Sequence, residues 1–226
     1  MIKTIFTICC IFILNACAID ADIQKSGINV EYQDENGDEQ ILLLKRNNSK
    51  GCNNIKFEPK NIWNSKYVET NIKDKCKVSV VTTIGSISAI KFDGIETYGE
   101  LEVLEFIKQS QENQNYLLVD TRSEKWFFHS TIATSVNIPF TYFSKSRYPD
   151  EFIDTLHTIG VIINKDGTYN FKDTKTLLLF CNGAWCGQSV TAIEYLVKIG
   201  YPKDKIFWYR GGIQSWKMLG LPTISQ

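Results

Sequence analysis

Apolar and polar positions change their spacing near residue 86. Before it, INVEY and QILLLKR flank the turn signal DENGDE, which predicts a β-hairpin about Asn36-Gly37. A polar loop, NNSKGCNN, follows. NIKFEP, an aromatic-containing stretch with Trp63 and Tyr67, and the strand-like KVSVVTTI ending at Gly85 complete this part. Residues 19–90 are therefore expected to form a small β-rich subdomain that packs on, or shields, what comes next. Beyond it, strands and helices alternate, the grammar of an α/β fold with a mostly parallel sheet. GELEVLEFIKQSQ places Leu101, Leu104 and Ile107 at helical spacing, with Val103 and Phe106 beside them, and so predicts a core-facing helix. YLLVDTR is a buried strand running into Asp120 and Arg122; SVNIPF is a short strand closed by Pro139; EFIDTLHTIGV is a helix. TLLLF is the most apolar strand and is assigned to the middle of the sheet. SVTAIEYLVKIG is a helix capped by Gly200, and KIFWYRGG and IQSWKMLG supply a last strand and a last short helix.

Composition narrows the function. Hydrophobic residues at 43% and charged residues at 22% exclude a wholly disordered chain and a disulfide miniprotein. Twenty-five basic side chains balance 25 acidic ones, and no basic stripe is present. That argues against nucleic acid as the main partner and for a small substrate or a protein. At the start, Lys3 precedes an apolar stretch from Ile5 to Leu14 and then Ala16-Cys17-Ala18. This pattern reads as a secretory signal over residues 1–18, too short to span a membrane. Two processing routes are open: cleavage after an A-x-A site, or lipidation of Cys17 in a lipobox-like Leu14-Asn15-Ala16-Cys17. The expected location is periplasmic or exported, with membrane attachment only if Cys17 is lipidated. Export permits disulfides. Cys9 and Cys10 leave with the signal and Cys17 leaves or is lipidated, so Cys52, Cys76, Cys181 and Cys186 are left to account for. Four cysteines allow three pairings; the preferred one joins Cys52 to Cys76, leaving Cys181 and Cys186 for chemistry.

Cys181 ends the TLLLF strand and opens a loop that leads to a helix starting near Ser189. Ligands of open α/β sheets bind at such carboxyl ends, and loop N–H groups with the helix dipole favour a negative sulfur there. The thiol is expected to be lowered toward a reactive thiolate. Gly183 and Gly187 are expected to let the loop curl around an anion. A cysteine phosphatase would place an arginine six positions after the nucleophile, where this chain has Gly187, and the loop carries no Lys or Arg. A cysteine protease needs a histidine base, but His157 falls in a predicted helix, and no protease signature surrounds Cys181. No zinc-ligand spacing joins Cys181 and Cys186 to a histidine, so neither metal nor cofactor is expected.

From about residue 92 onward the sequence resembles a rhodanese-like domain. YLLVDTRSEKWFFHSTIATSVNIPF is similar to that family's aspartate-x-arginine strand and following turn. LLLFCNGAWCGQS is similar to its cysteine loop, and IGYPKDKIFWYRGGIQSWKMLGLP to its terminal glycine-glycine and tryptophan segment. The resemblance implies a five-stranded parallel sheet flanked by helices over residues 91–226, and sulfurtransferase chemistry in which Cys181 carries sulfane sulfur as a persulfide. Its partners would be a small sulfur-containing donor and a thiol acceptor. Asn182, Gly183, Ala184, Trp185, Gly187, Gln188 and Ser189 would form the substrate-binding loop. Asp120 and Arg122 match the family's pair and read as a structural ion pair. Trp126 and Arg210-Gly211-Gly212 also match, with Arg210 bordering the pocket. The loop is about two residues longer than the common family loop and ends in Gln188 and Ser189 instead of a basic residue. In this it resembles an exported subset whose loops read Cys-Asn-Gly-x-Trp-Cys-Gly-Gln-Ser.

Cys186 leaves three functions open. It can resolve a persulfide on Cys181, or form with Cys181 a thiol–disulfide oxidoreductase; as a wall of the pocket it plays neither part. A non-catalytic module that binds a periplasmic protein through the β-rich region is the third class. Trp208, Tyr209 and Trp216 are read as core.

Overall fold

The computed structural model describes residues 23–45, 52, 65–77, 92 and 94–226. The segment 1–18 with Cys17, NIKFEP, Trp63 and the body of KVSVVTTI lie outside the described residues. A short helix α1 (Ile23–Ser26) leads into strands β1 (Ile28–Gln33) and β2 (Glu39–Leu44), followed by α2 (Ser65–Asn71) and α3 (Asp74–Lys77). Then come β3 (Glu96–Thr97), α4 (Glu100–Glu112), β4 (Tyr116–Asp120), α5 (Glu124–His129) and β5 (Val136–Asn137). The chain continues through α6 (Pro149–Thr158), β6 (Ile162–Ile163), β7 (Tyr169–Asn170), β8 (Thr176–Phe180), α7 (Gln188–Ile199), β9 (Ile206–Tyr209) and α8 (Gly212–Met218).

The five-stranded sheet has the order β3-β9-β8-β4-β5, and every neighbouring pair is parallel. TLLLF is its middle strand, as the unbroken apolar run predicts, because a parallel strand is covered on both faces. Alternation divides its side chains. Leu178 and Phe180 join α4, α8 and the β1–β2 hairpin in one core, while Leu177 and Leu179 join α6 and α7 in the other. The hairpin pairs Ile28 with Leu44 through to Gln33 with Glu39, and Gly37 takes the positive φ of 82° that its turn requires. Val30 and Leu44 are fully buried against α4, whose Gln111 accepts a hydrogen bond from the Glu31 N–H at 2.8 Å.

Helix ends follow local rules. Glu102 in the first turn of α4 accepts from the Gly99 N–H at 3.0 Å, and Gly200 closes α7 in the left-handed region at φ 91°. Two features differ from the sequence reading. Residues 65–77, read there only as an aromatic-containing stretch, form two short helices, the second carrying Cys76. Between α6 and β8 the dipeptide Asp166-Gly167, with Gly167 at φ 82°, turns a two-residue-per-strand antiparallel hairpin. Each of its strands is too short to show a period in sequence.

Candidate functional site

Parallel register sets the site. Asp120, Phe180 and Tyr209 are aligned across β4, β8 and β9, so Thr121, Cys181 and Arg210 leave the sheet side by side at its carboxyl edge. Thr121 ties the edge to the middle strand, its N–H and hydroxyl both donating to the Phe180 carbonyl at 3.0 and 2.8 Å.

From Cys181 the chain runs through Asn182, Gly183, Ala184, Trp185, Cys186 and Gly187 into the first turn of α7, which holds Gln188 and Ser189. Cys181 and Cys186 are free thiols, 2% and 6% exposed, and each shifts the other's ionisation. Cys181 Sγ lies 3.1 Å from Ser189 Oγ and 3.4 Å from the Cys186 carbonyl. The Trp208 indole N–H, which can only donate, occupies the Ser189 oxygen at 3.0 Å. With one lone pair of Ser189 Oγ taken by Trp208, its hydroxyl proton and its other lone pair are both available to Cys181, so either atom of that contact can donate, and the Ser189 backbone N–H points at Cys181 Sγ too. Cys186 Sγ receives the N–H groups of Gln188 and Asn182 and the Asn182 side-chain amide at 3.9 Å; as a thiol it donates to Gln188 Oε1 at 3.6 Å.

These environments divide the charge unequally. Burial pushes the Cys181 thiol well above its ordinary range, and its hydrogen bond with Cys186 adds to this against the opposing Ser189 contacts. The hydrogen bond from Cys181, together with the N–H donors, brings Cys186 down to about 6 in spite of burial. Cys186 is therefore the more acidic of the two thiols. The expected lowering of Cys181 by the loop is thus realised at Cys186, because more of the loop's donors reach that sulfur.

Asp120 and Arg122 reach the loop through one more side chain. Arg122 Nε and Nη2 clasp the Asp120 carboxylate at 2.6–3.1 Å, and Thr131 Oγ1 donates to the same carboxylate at 2.8 Å. The pair is 0% and 2% exposed. Arg122 Nη2 also donates to the Ser130 carbonyl at 2.5 Å, and Nη1 donates to Asn182 Oδ1 at 3.3 Å, which turns the Asn182 amide NH2 toward Cys186. The pair is structural, as read from sequence, and it also orients a loop residue.

Helix α8 holds the loop from beneath. The Ile213 and Gln214 N–H groups donate to the Cys181 and Asn182 carbonyls at 3.0 and 2.9 Å, and Gln214 Oε1 accepts from Trp185 Nε1 at 2.8 Å. Gly212, at φ 54°, passes so close that a Cβ there would sit 2.2 Å from the Cys181 carbonyl oxygen. Gly212→Ala is expected to cost about 2 kcal/mol or more through overpacking and left-handed strain, read as a lower urea midpoint. Gly183 is likewise confined, by Gln214 and Trp185, whereas a Cβ at Gly187 would meet nothing within 4 Å. Gly183 therefore has the steric reason to be glycine that Gly187 lacks. Arg210 stacks over the Trp208 ring at 5.7 Å. Cys52 and Cys76 are disulfide-bonded to each other, Cα–Cα 5.4 Å. His129 ends α5 and His157 lies in α6, and neither bonds to the thiols. A separate cavity of about 580 Å³, lined by Tyr32, Gln33, Tyr116 and Leu117 among others, involves neither cysteine.

Trp208, Gln214 and the close approach of Gly212 were not assigned to the site from sequence. The tryptophans read as core because indoles are mostly buried, and only the alternation of β9 shows that Trp208 faces α7, where Ser189 stands.

A search of curated proteins found no match to the sequence. Among solved structures, a Bacillus halodurans protein is 16% identical over 58% of this chain and 77% of its own, at a TM-score of 0.40. A single-domain sulfurtransferase from Saccharomyces cerevisiae is 20% identical over 56% of this chain and 92% of its own, at 0.36. A rhodanese from E. coli is 18% identical over 49% and 98%, at 0.30. The sequence model of the rhodanese-like domain matches residues 103–219, just over half of the chain, from α4 to the end of α8. With the thiol loop inside that match, the chain belongs to the rhodanese-like domain family.

Proposed function

We propose that this protein is a sulfurtransferase that carries sulfane sulfur as a persulfide on Cys181. The observation that supports it is a free thiol at the carboxyl end of the middle strand, with a second, more acidic free thiol in the same loop. As Cys181 attacks the outer sulfur of a persulfide or polysulfide donor, its proton passes to the Cys186 thiolate and the donor's remaining sulfur leaves as a thiolate. A thiol or other nucleophile then takes the sulfur from Cys181. Burial of Cys181 suits a small, polarisable sulfur donor such as a persulfide or polysulfide. The residues from Cys181 to Ser189 supply this chemistry with no metal or cofactor. We place the protein in an oxidising, exported compartment on the basis of the segment 1–18 and the Cys52–Cys76 disulfide.

The test is transfer of sulfane sulfur from inorganic polysulfide to cyanide, read as thiocyanate. Turnover by the full chain is expected, and its absence would count against the enzyme reading. Trp208→Phe should slow sulfur loading several-fold, because Ser189 is then free to turn its proton from Cys181. Ser189 lowers the Cys181 thiol, so losing its donation raises it and moves the pH–rate profile to higher pH. An unmoved profile would leave Trp208 as packing alone. Thiol–disulfide exchange between Cys181 and Cys186 is the second reading. It draws on the same pair of free thiols and differs in predicting no persulfide when Cys186 is replaced.

A further inference from the structure

Cys186 has a better anion seat than Cys181. Three donors converge on its sulfur: the N–H groups of Asn182 and Gln188 and the Asn182 side-chain amide, itself oriented by Arg122 Nη1. A cysteine that merely fills a pocket wall has no use for three N–H donors. The Cys186 carbonyl lies 3.4 Å from Cys181 Sγ, the atom that becomes the inner sulfur of a persulfide, and the ionisation of the two sulfurs is linked. Both thiols are free, and they lie five residues apart on one loop.

We propose that Cys186 resolves the Cys181 persulfide, so that the loop closes a Cys181–Cys186 disulfide and releases the carried sulfur as hydrosulfide. This rests on the reading of Cys181 as the sulfur carrier. The proton that Cys186 took up during loading passes to the departing donor thiolate; the Cys186 thiolate then attacks the inner sulfur of Cys181–S–SH, and a bond forms between the two cysteine sulfurs. The bond between inner and outer sulfur breaks, and HS⁻ departs with that electron pair and its own proton. The sulfane sulfur is reduced to sulfide while the two cysteines are oxidised. An external dithiol reductant then reopens the disulfide, becoming a disulfide itself and returning both thiols. The substrate class is a small persulfide or polysulfide, and the product is sulfide when no acceptor nucleophile takes the sulfur from Cys181 first. Attack on the inner sulfur is favoured over transfer of the outer one because the loop holds Cys186 beside the residue that carries the inner atom.

The full-length chain, with its Cys52–Cys76 disulfide intact, is exposed anaerobically to limiting inorganic tetrasulfide and mapped by non-reducing peptide mass spectrometry. The wild-type peptide spanning the loop is expected to lose two hydrogens and to carry no extra sulfur. The same peptide from Cys186→Ser and Cys186→Ala is expected to gain one sulfur on Cys181 and to keep it until a dithiol is added. Should the wild type retain its sulfur on Cys181 as the variants do, the resolving role is overturned and the carrier reading stands. A wild type that loses two hydrogens beside variants that take up no sulfur overturns both, leaving simple thiol oxidation. Because the wild-type signature is read without any substitution, a variant that folds poorly does not remove the test.

Discussion

Cys181→Ser is expected to abolish sulfur loading and thiocyanate formation while leaving the fold in place. A serine hydroxyl is nearly isosteric with the thiol and keeps a partner in Ser189, which stands 3.1 Å from the sulfur it replaces. It also keeps the carbonyl through which the loop is anchored, since Ile213 bonds to the backbone of residue 181 and not to its side chain. What it loses is the nucleophile, because a hydroxyl does not ionise under conditions in which a thiol can pass its proton to a neighbouring thiolate. Activity should fall to the uncatalysed background, with a urea midpoint close to wild type. Retention of sulfur transfer by this variant would remove Cys181 from the chemistry.

The second large effect concerns stability. Arg122→Met should destabilise the protein by about 3–5 kcal/mol, because it leaves a buried carboxylate without its countercharge. Asp120 is fully buried, and after the substitution only Thr131 Oγ1 and the backbone N–H of residue 122 face its carboxylate. The Ser130 carbonyl and Asn182 Oδ1 lose their donors as well. Chemical denaturation measures the first effect. The second appears in whatever folded protein remains, as a Cys186 thiolate less well held once the Asn182 amide is free to turn. A change smaller than about 1 kcal/mol would mean that the ion pair is replaceable by an apolar contact, as some buried pairs are.

These predictions rest on residues that differ in how visibly they announce themselves. TLLLF declares a middle strand because its four successive apolar residues suit a strand covered on both faces, and Cys181 follows directly from where that strand ends. The hairpin is carried by Asn36-Gly37, and the close of α7 by Gly200, each a backbone requirement written as a residue type. The short edge strands β3 and β5 are different. Two residues have no period, and their membership in the sheet is decided by the neighbours they pair with. Residues 65–77 were equally opaque, since two helices of seven and four residues depend on tertiary contacts rather than propensity.

Within the site, sequence proximity reveals Cys186 and Ser189 but not how the charge divides between the thiols. That division depends on where N–H groups point, and one curl of the loop sends more of them to Cys186 than to Cys181. Trp208 and Gln214 enter from β9 and α8, some 20 to 30 positions away in sequence, and nothing local marks them as loop partners. The aspartate-x-arginine pair was legible as an ion pair. Its further hold on Asn182 depends on the parallel register that brings β4 beside β8.

The most direct test of the central claim is rapid-quench alkylation of the wild-type chain during its first turnover with inorganic tetrasulfide, followed by tandem mass spectrometry of the loop peptide. The account predicts one additional sulfur on Cys181 at the earliest times. Additional sulfur on Cys186 alone, or on neither cysteine while thiocyanate still forms, would contradict it.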